Sequence, residues 1–599
     1  MKKVIILIAG LLVSVSSAFS QGCLPDGITF TRQTQIDSFQ INYPGCSEIL
    51  GDLYIGGSYG NPAVISNLAG LSEITSIGGS LVVAYTQALE SLIGLENLNS
   101  IVDGIYIGDN ADLLSIAGIQ NVSSLGSGIS IFNNPILLEL TDFSNLPPFS
   151  GSLFIMQNNN LISLQGLESL SSVGEHVIIN LNDSLTSLTG LENLDSIGRN
   201  LELYSNKSLM NIEDLENLQN IGESLVILDN TSLNSLDGLE NVKTLGNDLM
   251  ILNNTSLQDI TGLDNVEYVG GKLEIGNNSD LSDINGLSSL LHVGGEIYIF
   301  ENPELINLDG IENLNYLGGG FRISGNSHLT HLADFSNLNK IDDWLNIVDN
   351  EQLVDLSGLE NIANVKWHLI ITGNKCLISL SCLSNLDSIG GKLIISNDSS
   401  LTDLSGLENL KSIGQSLIIS WNKSLTNLQA LSALDSISHG IIITNNPTLT
   451  SLLGLDNFRI GYQAEITITN NNQLSFCEVK SVCDFINHYS GPVDIHDNAP
   501  GCNSQQEVEE ACEHLPVSEP EIVKCLSIVP NPANSVIIIE SPYPAGCRIS
   551  IFSADGKEMI SLNSESNAIS IDISTLPPGL YFVRLSNDKT VEVGKFVKQ

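Results

Sequence analysis

The sequence is poor in aromatic and in basic residues, and both shortages narrow the classes of protein it can encode. Aromatic residues make up 5% of the 599 positions, whereas Leu, Ile, Asn, Ser and Gly are abundant, a composition that favours a solenoid over an ordinary enzyme. Lys and Arg total 23 against 68 Asp and Glu, a formal charge of −45. Because phosphates and anionic lipids are bound by clustered basic side chains, neither nucleic acid nor a membrane surface is an expected partner.

Long hydrophobic runs are also missing, except at the N-terminus. Lys2 and Lys3 precede an apolar run that ends near Ala18, which predicts a signal peptide over residues 1–20 with cleavage before Gln21. No later run reaches the ~18 apolar residues of a membrane span. We therefore expect an exported chain without a transmembrane segment.

The ten cysteines fit an oxidising compartment, and most of them lie at the margins of the chain. Two bridges are predicted, Cys23–Cys46 and Cys376–Cys382. The sequence leaves the pairing open among Cys477, Cys483, Cys502 and Cys512.

A repeat of 24 residues runs through residues 65–472. We number the positions of each repeat, or coil, from 0, with Leu185 at position 0. Ile65 and Leu449 then both fall on position 0, sixteen repeats apart, so seventeen coils follow without net insertion. Apolar residues recur at positions 0, 3, 6, 9, 12, 16 and 18. A constant spacing of three does not match a helix, whereas the pair at 16 and 18 has the period of a strand. Stacked coils with strands in register would bury one continuous core.

Position 21 is almost always Asn, and stacked amides can satisfy the backbone groups of an inward-turning loop. Thr86 and Asp398 interrupt the column, and one extra residue in the last coil makes Asn471 an alternative to Asn470. We predict a buried Asn ladder made of Asn110, Asn134, Asn158, Asn182, Asn206, Asn230, Asn254, Asn278, Asn302, Asn326, Asn350, Asn374, Asn422, Asn446 and Asn470.

Two further positions of the repeat favour one type of residue. Gly is frequent at position 13, as at Gly198, which predicts either a positive φ or a close approach at a corner. Position 7 is acidic in ten coils, for example Glu192. A solvated ridge explains these carboxylates better than Ca²⁺ binding, because no Ca²⁺ loop motif is present.

No metal or cofactor is predicted, since the His, Cys and carboxylate residues lack metal-ligand spacing.

The repeat pattern LxxLxGLxNLxSIGxxLxIxxN resembles receptor L-domain repeats and, more loosely, leucine-rich repeats. The resemblance covers residues 23–512 and implies an all-β, right-handed β-solenoid, with an N-terminal cap over 21–64. A Cys-containing cap over 473–513 and a Pro-rich acidic linker over 514–524 are expected to follow.

Residues 525–599 contain short strands separated by turns, which predicts a small Ig-like β-sandwich. This segment resembles the type A sorting domain of the type IX secretion system of Bacteroidetes, which implies that the secretion machinery is a partner and that the chain is secreted or displayed at the cell surface. The motif residues that carry the resemblance are Pro530, Asn531, Pro532, Gly556, Gly579, Tyr581, Lys595 and Phe596.

With positions 16 and 18 pointing inward, positions 17 and 19 of each strand point outward. These columns carry exposed apolar and aromatic residues, which on a soluble protein often mark a binding face. The opposing interpretation is that such residues simply suit strands. The candidate binding face comprises Tyr106, Phe132, Phe154, Met156, Tyr204, Leu228, Met250, Leu252, Tyr298 and Phe300.

The sequence predicts a non-catalytic recognition or adhesion protein that presents this face to a glycan or a protein. A structural surface-layer component without a specific ligand is the alternative. A polysaccharide-cleaving enzyme is less favoured, because the outward columns contain only Arg322 as a base.

Overall fold

The structure is a computed structural model that describes residues 22–456, 458–461, 464–489, 491–513, 527–540, 548–554, 556–563, 568–586 and 591–599. The predicted signal peptide, the linker, Cys525 and Cys547 lie outside these residues. The chain divides into two compact units at residue 514, and each is described by itself. In the described part of the chain, no helix is long and apolar enough to cross a membrane.

The first unit is a β-solenoid, as predicted, and one long parallel sheet runs along it. Each strand pairs with the strand of the next coil at the same position, as Leu201 does with Leu225. The strands of this main sheet are Ile28–Phe30, Leu53–Gly56, Leu81–Ala84, Ile105–Gly108, Ile129–Phe132, Leu153–Met156, Val177–Asn180, Leu201–Tyr204, Leu225–Leu228, Leu249–Leu252, Leu273–Gly276, Ile297–Phe300, Phe321–Ser324, Leu345–Val348, Leu369–Thr372, Leu393–Ser396, Ser416–Ser420, Gly440–Thr444, Glu465–Thr469 and Val493–His496.

The main sheet has twenty strands, more than the seventeen repeats counted in the sequence. Ile28–Phe30 and Leu53–Gly56 extend it into the N-terminal cap, and Val493–His496 extends it into the C-terminal cap. The caps therefore continue the backbone pairing of the coils after the 24-residue spacing has been lost.

Shorter strands at positions 11 and 12 form a second line of parallel pairing at a corner of the coil. In three successive sheets these are Glu48–Ile49, Ser76–Ile77, Ser100–Ile101 and Ser124–Leu125; then Ser172–Val173, Ser196–Ile197, Asn220–Ile221, Thr244–Leu245, Tyr268–Val269, His292–Val293 and Tyr316–Leu317; then Lys340–Ile341, Asn364–Val365, Ser388–Ile389, Ser412–Ile413, Ser436–Ile437 and Arg459–Ile460. Ala63–Val64 and Thr86–Gln87 pair separately.

The interior is a single column of aliphatic side chains. In one representative coil all seven predicted apolar positions are at most 1% exposed: Leu185, Leu188, Leu191, Leu194, Ile197, Leu201 and Leu203. Equivalent residues continue this core from end to end. Burial of so much aliphatic surface supplies the main driving force for stacking, since a single coil has no core of its own.

The Asn ladder lies inside the loop that follows each main-sheet strand. Asn206 donates its backbone N–H to Asn230 Oδ1 at 3.0 Å, and its Nδ2 donates to Asn230 Oδ1 at 3.3 Å and to the Ile179 carbonyl at 2.8 Å. Fourteen of the fifteen predicted members are fully buried. Each amide thus links three successive coils.

Asn470 is the exception, and Asn471 takes its place. Ile466 pairs with Ile441, 25 residues earlier, so the last coil is one residue out of phase. Asn470 is consequently exposed with a φ of 58°, while Asn471 is buried and accepts the backbone N–H of Asn446 at 2.9 Å. Asn498 in the cap then closes the ladder.

The two glycine-rich corners differ in what they require. At position 13 the glycines have no positive φ, but a Cβ on Gly198 would lie 1.9 Å from the Gly174 carbonyl oxygen, so close approach is the reason for glycine. At position 5, Gly190 has a φ of 115°. In other coils this corner is a 3₁₀ turn, at Ala69–Leu71, Thr141–Phe143, Glu213–Leu215, Thr261–Leu263, Asn285–Leu287, Ser381–Leu383 and Gln429–Leu431.

Gly190→Ala is expected to destabilise the solenoid by about 2 kcal/mol. The substitution places a side chain at positive φ, with its Cβ 2.1 Å from the Leu164 carbonyl oxygen. Chemical denaturation measures the loss. Ala430→Gly is the control, because Ala430 already occupies position 5 in a 3₁₀ turn, and it should cost about 1 kcal/mol or less. Equal costs for the two variants would contradict this account of the corner.

Both caps contain short helices that are tied by disulfides. The N-terminal cap has helices Gln33–Asp37 and Phe39–Asn42 and a Cys23–Cys46 bridge. The C-terminal cap has helices Lys480–His488 and Gln505–Cys512, with bridges Cys477–Cys502 and Cys483–Cys512. The pairing that the sequence left open is thus an interleaved one, in which Cys483–Cys512 joins the two helices and Cys477–Cys502 joins the segments that precede them.

The predicted Cys376–Cys382 bridge is not formed, and both residues are free thiols. Leu377, which lies between them, is buried in the core, so the chain turns a corner and the two side chains emerge in different surroundings. Cys376 is exposed, whereas Cys382 is buried with its Sγ 3.7 Å from Ser357 Oγ of the preceding coil.

The second unit is a sandwich of two antiparallel sheets around its own core. One sheet has three strands, Ser527–Val529, Val536–Glu540 and Ala568–Asp572. The other has four strands, Arg548–Ser553, Glu558–Asn563, Gly579–Ser586 and Val591–Lys598.

Candidate functional site

The outer face of the main sheet carries all ten residues of the candidate binding face. Their strands pair directly from Ile105–Gly108 to Ile297–Phe300, so the ten side chains form two adjacent columns. Tyr106 and Tyr204 are 43% and 37% exposed, and the other eight are half-buried by their neighbours in the column. The structure therefore places these residues on one continuous surface.

Phe132 and Phe300 have a structural role within this surface. A Cβ on Gly108 would lie 2.2–2.5 Å from three ring atoms of Phe132, and a Cβ on Gly276 would lie 2.3–2.6 Å from three ring atoms of Phe300. Both rings thus lie flat over a glycine of the preceding strand and cover its exposed backbone. Their contribution to strand pairing explains their presence without any ligand.

Tyr106 and Phe154 differ from these two, because a gap separates them. Ser130 lies in register between Tyr106 on one side and Phe154 on the other; its side chain is small and buried, and all three residues line one groove. The resulting groove has a volume of about 200 Å³ and is also lined by Ser152 and Glu175. It offers two aromatic walls and several polar groups to a ligand.

The acidic column at position 7 serves the fold. Glu192 accepts the backbone N–H of Gly190 through both carboxylate oxygens at 3.0 Å, and Glu240 accepts that of Gly238 in the same way. The same contact joins Gly166 to Glu168, Gly310 to Glu312, Gly358 to Glu360, Gly406 to Glu408 and Gly454 to Asp456. Among the described residues, no group of three or more His, Cys, Asp or Glu could hold a metal ion.

A second Asn column runs at position 8 of most coils, and its role was not predicted from the sequence. Asn193 Nδ2 donates to the Glu168 carbonyl at 2.7 Å, and Asn217 Nδ2 donates to the Glu192 carbonyl at 2.7 Å. These amides are exposed and tie neighbouring coils together on the side of the solenoid where the acidic column runs. They have no evident role in ligand binding.

The sorting-motif residues meet in the second unit. Asn531 donates Nδ2 to the Lys595 carbonyl at 3.1 Å, and its Oδ1 accepts the Val597 N–H at 3.0 Å. The rings of Tyr581 and Phe596 stack at 5.5 Å and are buried. Gly556 lies in a turn at a φ of 82°. The two Asn531 hydrogen bonds thus join the segment after the first strand to the last strand of this unit.

Comparison with known families assigns two segments of the chain. Residues 527–599 match the secretion system C-terminal sorting domain, which implies export to the outside of the cell or to its surface. Residues 364–454 match the receptor L domain. No curated protein matches the chain. Over the matched residues, the chain is therefore similar to receptor L domains in its solenoid and to secretion system sorting domains at its C-terminus.

Proposed function

We propose that this chain is a non-catalytic recognition or adhesion protein, exported by the type IX secretion system, that binds a glycan or a protein on the outer face of its main sheet. The observation that supports this proposal is the groove between Tyr106 and Phe154. Aromatic walls with a few polar groups between them are typical of sites that bind amphipathic ligands. The aromatic ring faces also suit sugar rings.

The groove favours binding over catalysis. Glu175 is the one carboxylate that lines it, and no His, Cys or basic residue does so. General acid–base hydrolysis of a glycosidic bond requires a pair of carboxylates that flank the bond. The surface between Tyr106 and Phe154 therefore supports retention of a ligand without chemical change.

The double substitution Tyr106→Ser and Phe154→Ser is expected to weaken binding of the cognate ligand at least about tenfold, because two aromatic contacts are removed. Affinity is measured with any ligand that the unmodified protein retains. Tyr268→Ser with Tyr316→Ser is the matched control, since these tyrosines are similarly exposed, at 40% and 47%, but lie on the corner strands. Unchanged affinity of the Tyr106 and Phe154 variant would refute a role for this groove.

A further inference from the structure

Around and beyond Phe300, a few aromatic and basic side chains gather at positions 15 and 17 of the main sheet. We define the Trp344 groove by Tyr298, Arg322, Trp344, His368 and Lys392. Tyr298 and Arg322 are in register at position 17 of neighbouring strands. The other three follow at position 15 of the next three coils. At ~4.8 Å per strand, these five coils span roughly 20 Å along the sheet.

Two aromatic rings of the groove lie against each other, and a guanidinium group arises from the strand between their strands. A Cβ on Gly320 would lie 2.3–2.7 Å from three indole atoms of Trp344, so the indole lies flat over that glycine and its other face is turned outward. The Tyr298 ring lies 5.5 Å from the Trp344 ring. Arg322 arises from the strand between them and is exposed. The result is a pair of contacting aromatic rings with one exposed cation on the strand between them.

Arg322 and Lys392 are the basic side chains of this groove, and like several other Lys and Arg residues in the described part of the solenoid they form no ion pair with a carboxylate. Lys272 and Lys340 are paired with Glu274 and Asp342 at 2.7 Å. Within the described ranges, no carboxylate oxygen lies within 4 Å of a side-chain nitrogen of Arg322 or Lys392.

The orientation of the groove is fixed by local hydrogen bonds. Arg322 Nε donates to Ser324 Oγ at 3.1 Å, which leaves its terminal nitrogens free to donate elsewhere. His368 Nδ1 accepts the backbone N–H of Lys392 at 2.9 Å. Beyond Lys392 the surface continues into a cleft of about 310 Å³, lined also by His439 and Glu465.

We propose that the Trp344 groove binds an acidic oligosaccharide, a chain of uronic acid units whose rings lie on the Tyr298 and Trp344 rings and whose carboxylates pair with Arg322 and Lys392. Sugar rings present apolar faces to aromatic rings, and a guanidinium group binds a carboxylate through two parallel hydrogen bonds. This inference rests on the recognition function proposed above and assigns the ligand class through residues outside the Tyr106 groove.

The test uses the full chain with oligomers of galacturonic acid and of alginate as probes, and calorimetry as the readout. Methyl-esterified oligogalacturonate is the matched ligand control, because it keeps the rings and removes the charge. We expect the esterified ligand to bind at least about tenfold more weakly than the acid. Arg322→Gln and Trp344→Ala should weaken binding of the acid by about tenfold or more, since each removes a principal contact.

Two further variants make the test specific to the groove. Trp344→Phe keeps a ring over Gly320 and should retain most of the affinity that Trp344→Ala loses. Trp421→Ala removes a tryptophan that is 56% exposed but lies in the loop after a strand, and it should bind within about twofold of the unmodified protein.

Three outcomes would overturn the inference: no binding of either uronate, equal affinity for the esterified ligand, or no effect of Arg322→Gln. A ligand whose binding depends on Tyr106 and Phe154 but not on the Trp344 groove would leave the recognition function standing and refute only the assignment to acidic sugars.

Discussion

Asp398→Asn is expected to stabilise the solenoid, and the gain should grow by about 3 kcal/mol between pH 5 and pH 8. Asp398 occupies a ladder position where almost every other coil has Asn. Its Oδ1 accepts the backbone N–H of Asn374 at 2.8 Å and Asn374 Nδ2 at 3.2 Å. Its Oδ2 is buried without a hydrogen-bond partner.

The position of Oδ2 explains the pH dependence. In Asn422 the corresponding atom is Nδ2, which donates to the Ile395 carbonyl at 3.0 Å, so Oδ2 of Asp398 stands where the ladder needs a donor. Burial raises the pKa of Asp398 from 3.8 to about 7. The folded state therefore holds a proton that the unfolded state releases above pH 4, and stability is lost as the pH rises from about 4 to 7.

Hydrogen exchange of the strand Leu393–Ser396, measured at pH 5 and pH 8, reports the local stability directly. Asn254→Asp is the reciprocal variant. It should lose stability at pH 8 and recover part of it at pH 5. If the gain from Asp398→Asn is the same at both pH values, Asp398 does not hold a proton in the folded state.

The second large effect is expected for Asn254→Ala, which should destabilise the solenoid by about 3–5 kcal/mol. Asn254 Oδ1 accepts the Asn230 N–H at 3.1 Å, and its Nδ2 donates to the carbonyls of Ile227 and Leu252 at 2.9 and 3.0 Å. The truncation leaves these buried groups unpaired. Denaturant unfolding followed by circular dichroism measures the change.

Asn265→Ala is the control for this variant, because Asn265 belongs to the exposed Asn column and makes a single bond, to the Glu240 carbonyl at 2.8 Å. Its loss should cost about 1 kcal/mol or less, since water can replace the amide. Similar costs for the two variants would mean that the buried ladder adds little to stability.

Much of the fold could be predicted from the sequence, because the same pattern of apolar and Asn positions recurs in seventeen successive coils. The inward positions, the strand register and the Asn column are all periodic, and the alternation of Leu201 and Leu203 with their outward neighbours determines which face is exposed. The last coil could be assigned only through pairing: Asn471 replaces Asn470 because Ile466 pairs with Ile441.

The features that the sequence did not predict depend on contacts between coils. The role of the position-7 carboxylates is visible only from hydrogen bonds such as the one that Glu192 accepts from the Gly190 N–H. The flat packing of Phe132 over Gly108 requires knowledge of which residues lie opposite each other on neighbouring strands. Cys376 and Cys382 are close in sequence, but the corner at Leu377 separates their environments, and sequence distance alone does not show this.

The candidate binding face could be predicted as a surface but not divided into its parts. Alternation places all ten residues outward, yet only the structure shows that Tyr106 and Phe154 line one groove, whereas Phe300 covers a glycine. Likewise, Trp344 and Lys392 lie at position 15, which the outward columns at 17 and 19 do not include.

The most direct test of the recognition function is to incubate the chain without the predicted signal peptide (residues 21–599) with a broad glycan array and a panel of extracellular proteins, with and without Ca²⁺. We predict a reproducible hit that is lost when Tyr106 and Phe154, or the residues of the Trp344 groove, are substituted. If no glycan or protein of the panel binds, and self-association rises with protein concentration, the result would contradict this account and indicate a structural surface component.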